Sequence, residues 1–116
     1  FSCSWFETSK TSFLLKIPNV AKYLIRNGNQ IQVDIHANVE QRNMRLYLLG
    51  SAMGALYFQR GDFPLHASVI AGDRHAIAFT GDSGAGKSTL AAWMYQQGYP
   101  LLCDDVCVIR FHDDGI

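Results

Sequence analysis

The sequence predicts a protein of the α/β class, in which helices pack on β-sheet. Three observations support this fold class. Two β-prone runs flank an Asn-Gly pair at positions 27 and 28, apolar residues recur at helical spacing between positions 39 and 59, and a strand-like run leads through a glycine-rich loop into a segment of helix formers. The 116-residue chain begins with Phe1 and not with Met, and we expect it to be a fragment.

The first half is predicted to contain a β-hairpin followed by an amphipathic helix. The hairpin strands are residues 21–26 and 30–35, since the intervening Asn27-Gly28-Asn29 favours the positive φ angles of a hairpin turn. Residues 13–17 are expected to form another strand, which Pro18 stops because it has no amide hydrogen to give a ladder.

The helix is predicted from Val39 to about Gln59, with Asn38 as its N-cap and Gly61 as its stop. Its apolar face is expected to pack on a sheet, which explains the spacing better than a stripe of side chains serving a cofactor. The residues of this face are Val39, Leu46, Leu49, Met53, Leu56 and Tyr57.

The second half is predicted to begin with another hairpin. Its strands are residues 66–70 and 75–80, and the short turn at residues 71–74 suits an antiparallel pair. The second strand leads directly into the glycine-rich loop. Residues 90–97 are then expected to be a helix ended by Gly98, and residues 101–111 the next strand.

Composition excludes two classes of partner. Ten basic and ten acidic residues cancel, so no field extends from the whole surface to collect nucleic acid or anionic lipid. The longest weakly polar stretch, residues 46–58, falls short of the roughly 20 apolar residues that a bilayer span requires. We expect a cytoplasmic protein. Cys103 and Cys107 are expected to be buried free thiols, because no second Cys or His pair supplies the spacing of a metal site.

The glycine-rich loop matches the pattern G-x-x-x-x-G-K-[ST], with a strand before it and a helix after it. Such a loop turns its amide hydrogens toward the phosphates of a nucleoside triphosphate, aided by the positive end of the helix dipole. Lys87 would bring its cation to the β- and γ-phosphates, Ser88 would ligate Mg²⁺, and Thr89 would cap or pack. A chance match is expected on the order of a few times in a thousand such chains. The predicted binding residues are Gly81, Asp82, Ser83, Gly84, Ala85, Gly86, Lys87, Ser88 and Thr89.

Two acids and a histidine lie near the loop in sequence. Asp104 and Asp105 follow it by one helix, where carboxylates can reach Mg²⁺ or a hydroxyl substrate, although a solvated turn pair is an equally good interpretation. Adjacent acids on a strand point to opposite faces, so they are not expected to share one role. His66 precedes the loop, and its position alone indicates a hydrogen-bonded structural residue.

Taken together, these segments resemble the catalytic domain of HPr kinase/phosphorylase. The matching segments are Leu65-His66-Ala67-Ser68, the loop from Gly81 to Ser88, and Leu101-Leu102-Cys103-Asp104-Asp105-Val106. In that family a His precedes the loop and an Asp-Asp pair follows it at the separations seen here. The resemblance covers about the last half of the chain. The first half resembles, more loosely, HPr-kinase-like proteins that accompany peptide natural-product pathways.

The resemblance implies an ATP- and Mg²⁺-dependent serine kinase acting on a protein or peptide. Lys87 would hold the phosphates, Ser88 and Asp104 would serve the metal, Asp105 would be the general base for a substrate serine, and His66 would act in the active site. The implied fold is a P-loop kinase core like that of phosphoenolpyruvate carboxykinase, with a mixed sheet. Residues 1–61 would form an N-terminal hairpin-and-helix segment, and residues 62–116 a truncated ATP-binding core.

Departures from the family pattern leave alternatives open. The family's His-Gly pair is His66-Ala67 here, Thr89 stands where an acid usually follows Lys-Ser, and the later signature region with its Mg²⁺-binding Glu would be expected beyond Ile116. The resemblance therefore does not extend to HPr as the substrate, to phosphorylase activity or to turnover by the fragment itself. The alternatives are another class of P-loop protein and a non-catalytic nucleotide-binding module that regulates a partner. Residues 46–58 also offer apolar surface for a homo-oligomer.

Overall fold

The structure is a computed structural model that describes residues 5–111. Helix and strand are both well represented, as the α/β class requires. The chain divides into two compact units, the first ending at Asp62 and the second beginning at Phe63. Of the helices in the described range, none is long and apolar enough to cross a membrane.

The first unit contains a four-stranded antiparallel sheet whose strands lie in sequence order. The predicted hairpin is confirmed, with Asn27 at φ 52° and Gly28 at φ 65° in its turn. The strand predicted at residues 13–17 is also confirmed and begins one residue earlier. The strands are β1 (Phe6–Thr8), β2 (Ser12–Ile17), β3 (Ala21–Arg26) and β4 (Gln30–Ile35).

The helical segment of this unit consists of α1 (Gln41–Tyr47), a π-helical stretch (Leu48–Ala52) and α2 (Met53–Gln59). The helix prediction is confirmed, but the N-cap prediction is wrong. Asn38 is left-handed at φ 67°, and the helix is preceded by Glu40, which makes no side-chain capping bond. At the other end the predicted stop holds, because the amide of Gly61 donates to the carbonyl of Phe58 and Gly61 has a φ of 81°.

The predicted buried face of this helix is wrong in part. Leu46 and Leu49 are 65% and 64% exposed, whereas Ala52 and Leu56 are buried. The π-helical stretch explains the difference, because an extra residue in a turn rotates the side chains that follow it relative to those before it. The core that results consists of Leu15, Ala21, Tyr23, Ile25, Ala52 and Leu56.

The second unit carries the glycine-rich loop between a hairpin and a helix. Its elements are β5 (Phe63–Leu65), β6 (Ala67–Ala71), β7 (Ala76–Thr80), α3 (Lys87–Gln96), β8 (Leu101–Cys103) and β9 (Cys107–Ile109). The predicted hairpin is confirmed as β6 and β7. The helix is confirmed too, although it begins at Lys87 and so includes the end of the loop motif.

The single strand predicted at residues 101–111 is wrong. Asp105 has a φ of 83°, which a strand ladder does not accommodate, so the segment breaks into β8 and β9. These two strands then join different sheets, since β8 pairs with β6 and β9 pairs with β5. The two acids consequently lie in a bend between strands and not on a strand.

The strand order brings three chain segments to one edge. The three-stranded sheet has the order β7-β6-β8, and β6 is antiparallel to both neighbours. β7 and β8 therefore run in the same direction on either side of β6. The residues before β6, the loop after β7 and the acids after β8 all lie at the same edge of this sheet.

Candidate phosphate-binding site

A cavity of about 240 Å³, called the loop cavity here, lies at this shared edge. It contains every residue predicted to be catalytic or metal-binding. This volume is below the roughly 300–1,000 Å³ of pockets that enclose drug-sized ligands, so it suits a phosphate group and not a whole nucleotide. The lining residues are His66, Ser83, Gly84, Gly86, Lys87, Ser88, Thr89, Asp104 and Asp105.

The loop backbone leaves amide donors for an anion. Gly84 and Gly86 have φ values of 83° and 88°, and a Cβ at either position would meet nothing within 4 Å, so backbone conformation and not lack of space calls for glycine. Helix α3 follows immediately. Within residues 5–111 no hydrogen bond to the protein is made by the amides of Gly84, Gly86, Lys87 and Ser88. These donors, together with the positive end of the helix dipole, favour an anionic ligand.

Lys87 is held across the loop by the loop's own backbone. Its ammonium donates to the carbonyl oxygens of Gly81 at 2.9 Å and Asp82 at 3.0 Å. An ammonium has three N–H donors, so these bonds leave one for a ligand.

Three loop residues that were predicted to bind, Gly81, Asp82 and Ala85, are not among the residues that line the cavity. They shape the loop instead, since Ala85 donates its amide to the carbonyl of Asp82.

Asp104 receives two serine hydroxyls on one carboxylate oxygen. Ser68, which is fully buried, and Ser88, at 3.0 Å, both donate to Oδ1. The bond from Ser68, then that from Ser88, lower the pKa of Asp104, with smaller contributions from the backbone amide of Asp105 and from His66. The carboxylate is therefore ionised at neutral pH and available to a cation.

The contact between Ser88 and Asp104 fits a magnesium site. A hydroxyl that donates its hydrogen to a carboxylate still has free lone pairs on its oxygen. These lone pairs can bind Mg²⁺, which prefers oxygen ligands. In the described part of the chain no group of three or more His, Cys, Asp or Glu side chains could hold a metal by itself. This is the situation in which Mg²⁺ is bound by one or two protein oxygens and completes its shell with phosphate and water.

Asp105 contacts His66 and not the serines. The Nδ1 of His66 lies 2.6 Å from the main-chain oxygen of Asp105 and 3.5 Å from its carboxylate Oδ1. A carbonyl oxygen can only accept, so Nδ1 carries the hydrogen in this contact. The left-handed backbone at Asp105 costs energy in a residue with a side chain, and such strain is concentrated at functional sites. The two acids contact different partners as a result, and the Asp105 carboxylate is 82% exposed.

Ser68 belongs to the site but was missed by sequence reasoning. It is fully buried on the central strand, and the pairing of Val69 with Cys103 brings it beside Asp104. The sequence feature that could have identified Ser68 is its polar side chain inside the otherwise apolar run Ala67-Ser68-Val69-Ile70. A buried hydroxyl needs a partner, but only the strand pairing identifies it.

The two described cysteines flank the acids. Cys103 and Cys107 are free thiols, as predicted, but the prediction that they are buried is wrong, because both are only half-buried. Burial, followed by a hydrogen bond with Cys107, raises the pKa of Cys103 to about 11. A thiol with so high a pKa is protonated at neutral pH and is a poor nucleophile, so Cys103 is a structural residue.

A larger cavity of about 390 Å³ lies in the first unit, near the turn between β2 and β3. Its polar lining includes Lys16, Lys22, Asp34 and His36, and Lys22 is paired with Asp34 at 3.8 Å. It has no glycine-rich loop and no helix N-terminus. We therefore place the candidate function in the smaller cavity, where unpaired amides, a lysine and an ionised carboxylate occur together.

No family model, curated protein or solved structure matches this chain. What supports a function is therefore the arrangement of the loop cavity.

Proposed function

We propose that this chain is the ATP-binding part of a serine kinase resembling the HPr kinases. It would transfer the γ-phosphate of ATP to a serine hydroxyl of a protein or peptide. The observation that carries this proposal is the meeting, in one cavity, of residues from three separate segments: His66 before β6, the loop residues Lys87 and Ser88, and the two acids after β8.

The loop supplies the phosphate-binding groups. The unpaired amides at the start of α3 can donate to phosphate oxygens, and Lys87 adds a cation that its bonds to Gly81 and Asp82 hold in place. These groups are fixed before a ligand arrives, so little reorganisation is needed when charge develops on the transferring phosphoryl group.

Ser88 and Asp104 are the residues that would hold Mg²⁺. When bound, the metal would neutralise charge on the phosphates and help to orient them. The protein's own contribution is to keep Asp104 ionised through the hydroxyls of Ser68 and Ser88, so that an anionic oxygen faces the site at neutral pH.

Asp105 is the proposed general base. It has an exposed carboxylate in the same cavity, so a serine hydroxyl can approach it from solvent. The carboxylate would take the hydroxyl proton as the serine oxygen attacks the γ-phosphorus and the bond from that phosphorus to the oxygen of the departing ADP breaks. His66 would position it, because its Nδ1–H holds the main chain of Asp105 in the bend.

The finer fold proposal is a P-loop kinase core of the phosphoenolpyruvate-carboxykinase type. It is supported by the order strand, loop, helix and strand in β7, α3 and β8, with an antiparallel β6 between the two strands. All strand pairings within the described range are antiparallel, so the mixed sheet that the resemblance implies does not occur among residues 5–111. Self-association of the protein is also proposed, since Leu46, Leu49 and Phe58 expose apolar surface on the first unit.

Calorimetry on a Lys87→Ala variant tests the proposal. We expect binding of ATP with Mg²⁺ to be lost while the fold persists, because the ammonium of Lys87 bonds to loop carbonyls and not to the core. Arg74→Ala is the matched control, since Arg74 is an exposed cation in the turn between β6 and β7. Unchanged ATP affinity in folded Lys87→Ala protein would show that the loop does not bind the triphosphate. ATP binding without phosphoryl transfer to any serine would instead favour the alternative, a nucleotide-binding module that regulates a partner.

A further inference from the structure

A second, open depression of about 500 Å³ runs along helix α3 and is called the α3 depression here. It is lined by Ser88, Thr89, Ala92, Trp93 and Gln96. Ser88 and Thr89 also line the loop cavity. The two concave regions therefore adjoin at the start of α3, where a ligand with its phosphates in the loop would have to pass from one to the other.

The polar and aromatic residues of the α3 depression follow helical spacing. Thr89, Trp93 and Gln96 are at positions i, i+4 and i+7 of α3, so they lie on one face. They extend over roughly 10 Å along the helix axis at 1.5 Å per residue. Trp93 is 54% exposed, an unusual state for the largest aromatic side chain, which normally covers apolar surface.

The neighbouring residues decide between two occupants, the nucleoside and the phosphate acceptor. An acceptor serine has to reach Asp105, which lines the loop cavity together with His66 but does not line the α3 depression. The acceptor therefore belongs on the side of His66 and Asp105. The side of α3 is left for the remainder of the nucleotide.

We propose that the α3 depression binds the adenine base of the nucleotide, stacked on the indole of Trp93 and hydrogen-bonded by the amide of Gln96. This inference rests on the proposed function, since it requires the phosphates to lie in the loop. An indole offers a face to any base, and base–aromatic stacking contributes strongly to binding. A glutamine amide offers a donor beside an acceptor, which matches the N6 and N7 edge of adenine, whereas guanine presents two acceptors there.

Tryptophan fluorescence provides the direct test. The chain contains two tryptophans, Trp5 and Trp93, so a Trp5→Phe variant leaves Trp93 as the sole indole. We expect ATP with Mg²⁺ to quench Trp93 emission, and inorganic tripolyphosphate with Mg²⁺ to bind without quenching because it has no base. ATP that binds by calorimetry and leaves Trp93 emission unchanged, or tripolyphosphate that quenches equally, would overturn the proposal.

Affinity measurements on variants separate stacking from phosphate binding. Trp93→Ala should weaken ATP binding by roughly 5- to 150-fold, the usual effect of losing one base-stacking aromatic, and leave tripolyphosphate affinity unchanged. Trp93→Phe should retain most of the ATP affinity and guards against a folding defect in the alanine variant. Tyr95→Ala is the matched control, because Tyr95 is an exposed aromatic on α3 that does not line the depression. Gln96→Ala should reduce the preference for ATP over GTP.

The outcomes distinguish failure of this inference from failure of the proposed function. If the parent protein binds neither ATP nor tripolyphosphate, both fail. If it binds both, and Trp93→Ala changes neither affinity or changes the two equally, only the base site fails.

Discussion

The two units contain similar elements but place their polar groups differently. In the first unit an antiparallel sheet buries Tyr23 and Ile25 against Ala52 and Leu56, which gives an apolar core. In the second unit the central strand buries the hydroxyl of Ser68, which is bonded to Asp104. The first sheet thus chiefly serves packing, whereas the second positions charged groups at its edge. Substitutions in the first unit should therefore change stability, and those in the second should change binding and turnover.

The largest effect is expected from Asp105→Asn in the second unit. The asparagine keeps the shape and removes the base, so kcat on an identified serine substrate should fall by roughly 10²- to 10⁴-fold, the usual contribution of a positioned acid or base. Nucleotide affinity should change much less. Steady-state kinetics of the full-length protein, with ATP affinity measured separately, provides the check. Turnover at the parent rate would mean that the exposed carboxylate is a solvated turn residue.

An effect of comparable size, on stability and not on turnover, is expected from Ile25→Ala in the first unit. Ile25 is fully buried, and large-to-small substitutions in a core cost about 2–5 kcal/mol of unfolding free energy. Urea unfolding measures this loss. ATP affinity of the folded protein should be unchanged, since Ile25 is not one of the residues that line the loop cavity. An altered ATP affinity in the folded variant would break the contrast between the units.

Ser68→Ala should act through the metal. The variant removes the hydrogen bond that contributes most to lowering the pKa of Asp104. Loss of a group that supports a metal ligand typically costs about 10- to 100-fold in metal affinity, so the Mg²⁺ concentration needed for ATP binding should rise by that factor. The Mg²⁺ dependence of ATP affinity provides the measurement. Ser83→Ala is the control, because Ser83 lines the same cavity, and an equal shift in both variants would refute the specific role of Ser68.

The smallest effect is expected from Tyr23→Phe. The phenol donates to the carbonyl of Met44 at 2.8 Å, and losing one such bond costs about 1 kcal/mol. Burial, followed by the nearby Tyr47, raises the pKa of Tyr23 above its unfolded value of about 10. The folded state therefore holds the phenol proton more tightly than the unfolded state, and this difference adds to the free energy of unfolding. The contribution is complete below pH about 10 and is lost as the pH rises through the folded pKa of Tyr23.

Urea unfolding across this alkaline range tests whether the free energy of unfolding falls as the pH rises. The parent protein should lose stability more steeply above pH about 10 than Tyr23→Phe, which has no phenol to titrate. Parallel pH profiles for the two proteins would contradict the assignment of this titration to Tyr23.

The elements that could be predicted from the sequence are those governed by short-range backbone preferences. Asn27 and Gly28 tolerate positive φ, so the hairpin turn followed from two residues. The end of the first helical segment at Gly61 and the loop leading into α3 depend in the same way on glycines within a few residues. The loop motif also identified Lys87 and Ser88 as candidates, because its spacing already describes one strand-to-helix connection.

The remaining features depended on contacts between distant residues. Leu46 and Leu49 fit the helical period but are exposed, because a π-helical stretch turns the following residues and Ala52 and Leu56 meet the sheet instead. The break at Asp105 arises where β8 and β9 join different sheets.

The site itself illustrates the same limit. Ser68 and Asp104 are 36 residues apart in sequence, and only the register of β6 with β8 brings the hydroxyl to the carboxylate. Local sequence sets the backbone preferences of each segment, whereas strand pairing sets which segments meet, and a register shift of one residue would turn Ser68 to the other face of its strand. The chemistry available to each residue was thus determined by the sequence, and its partner by the tertiary structure.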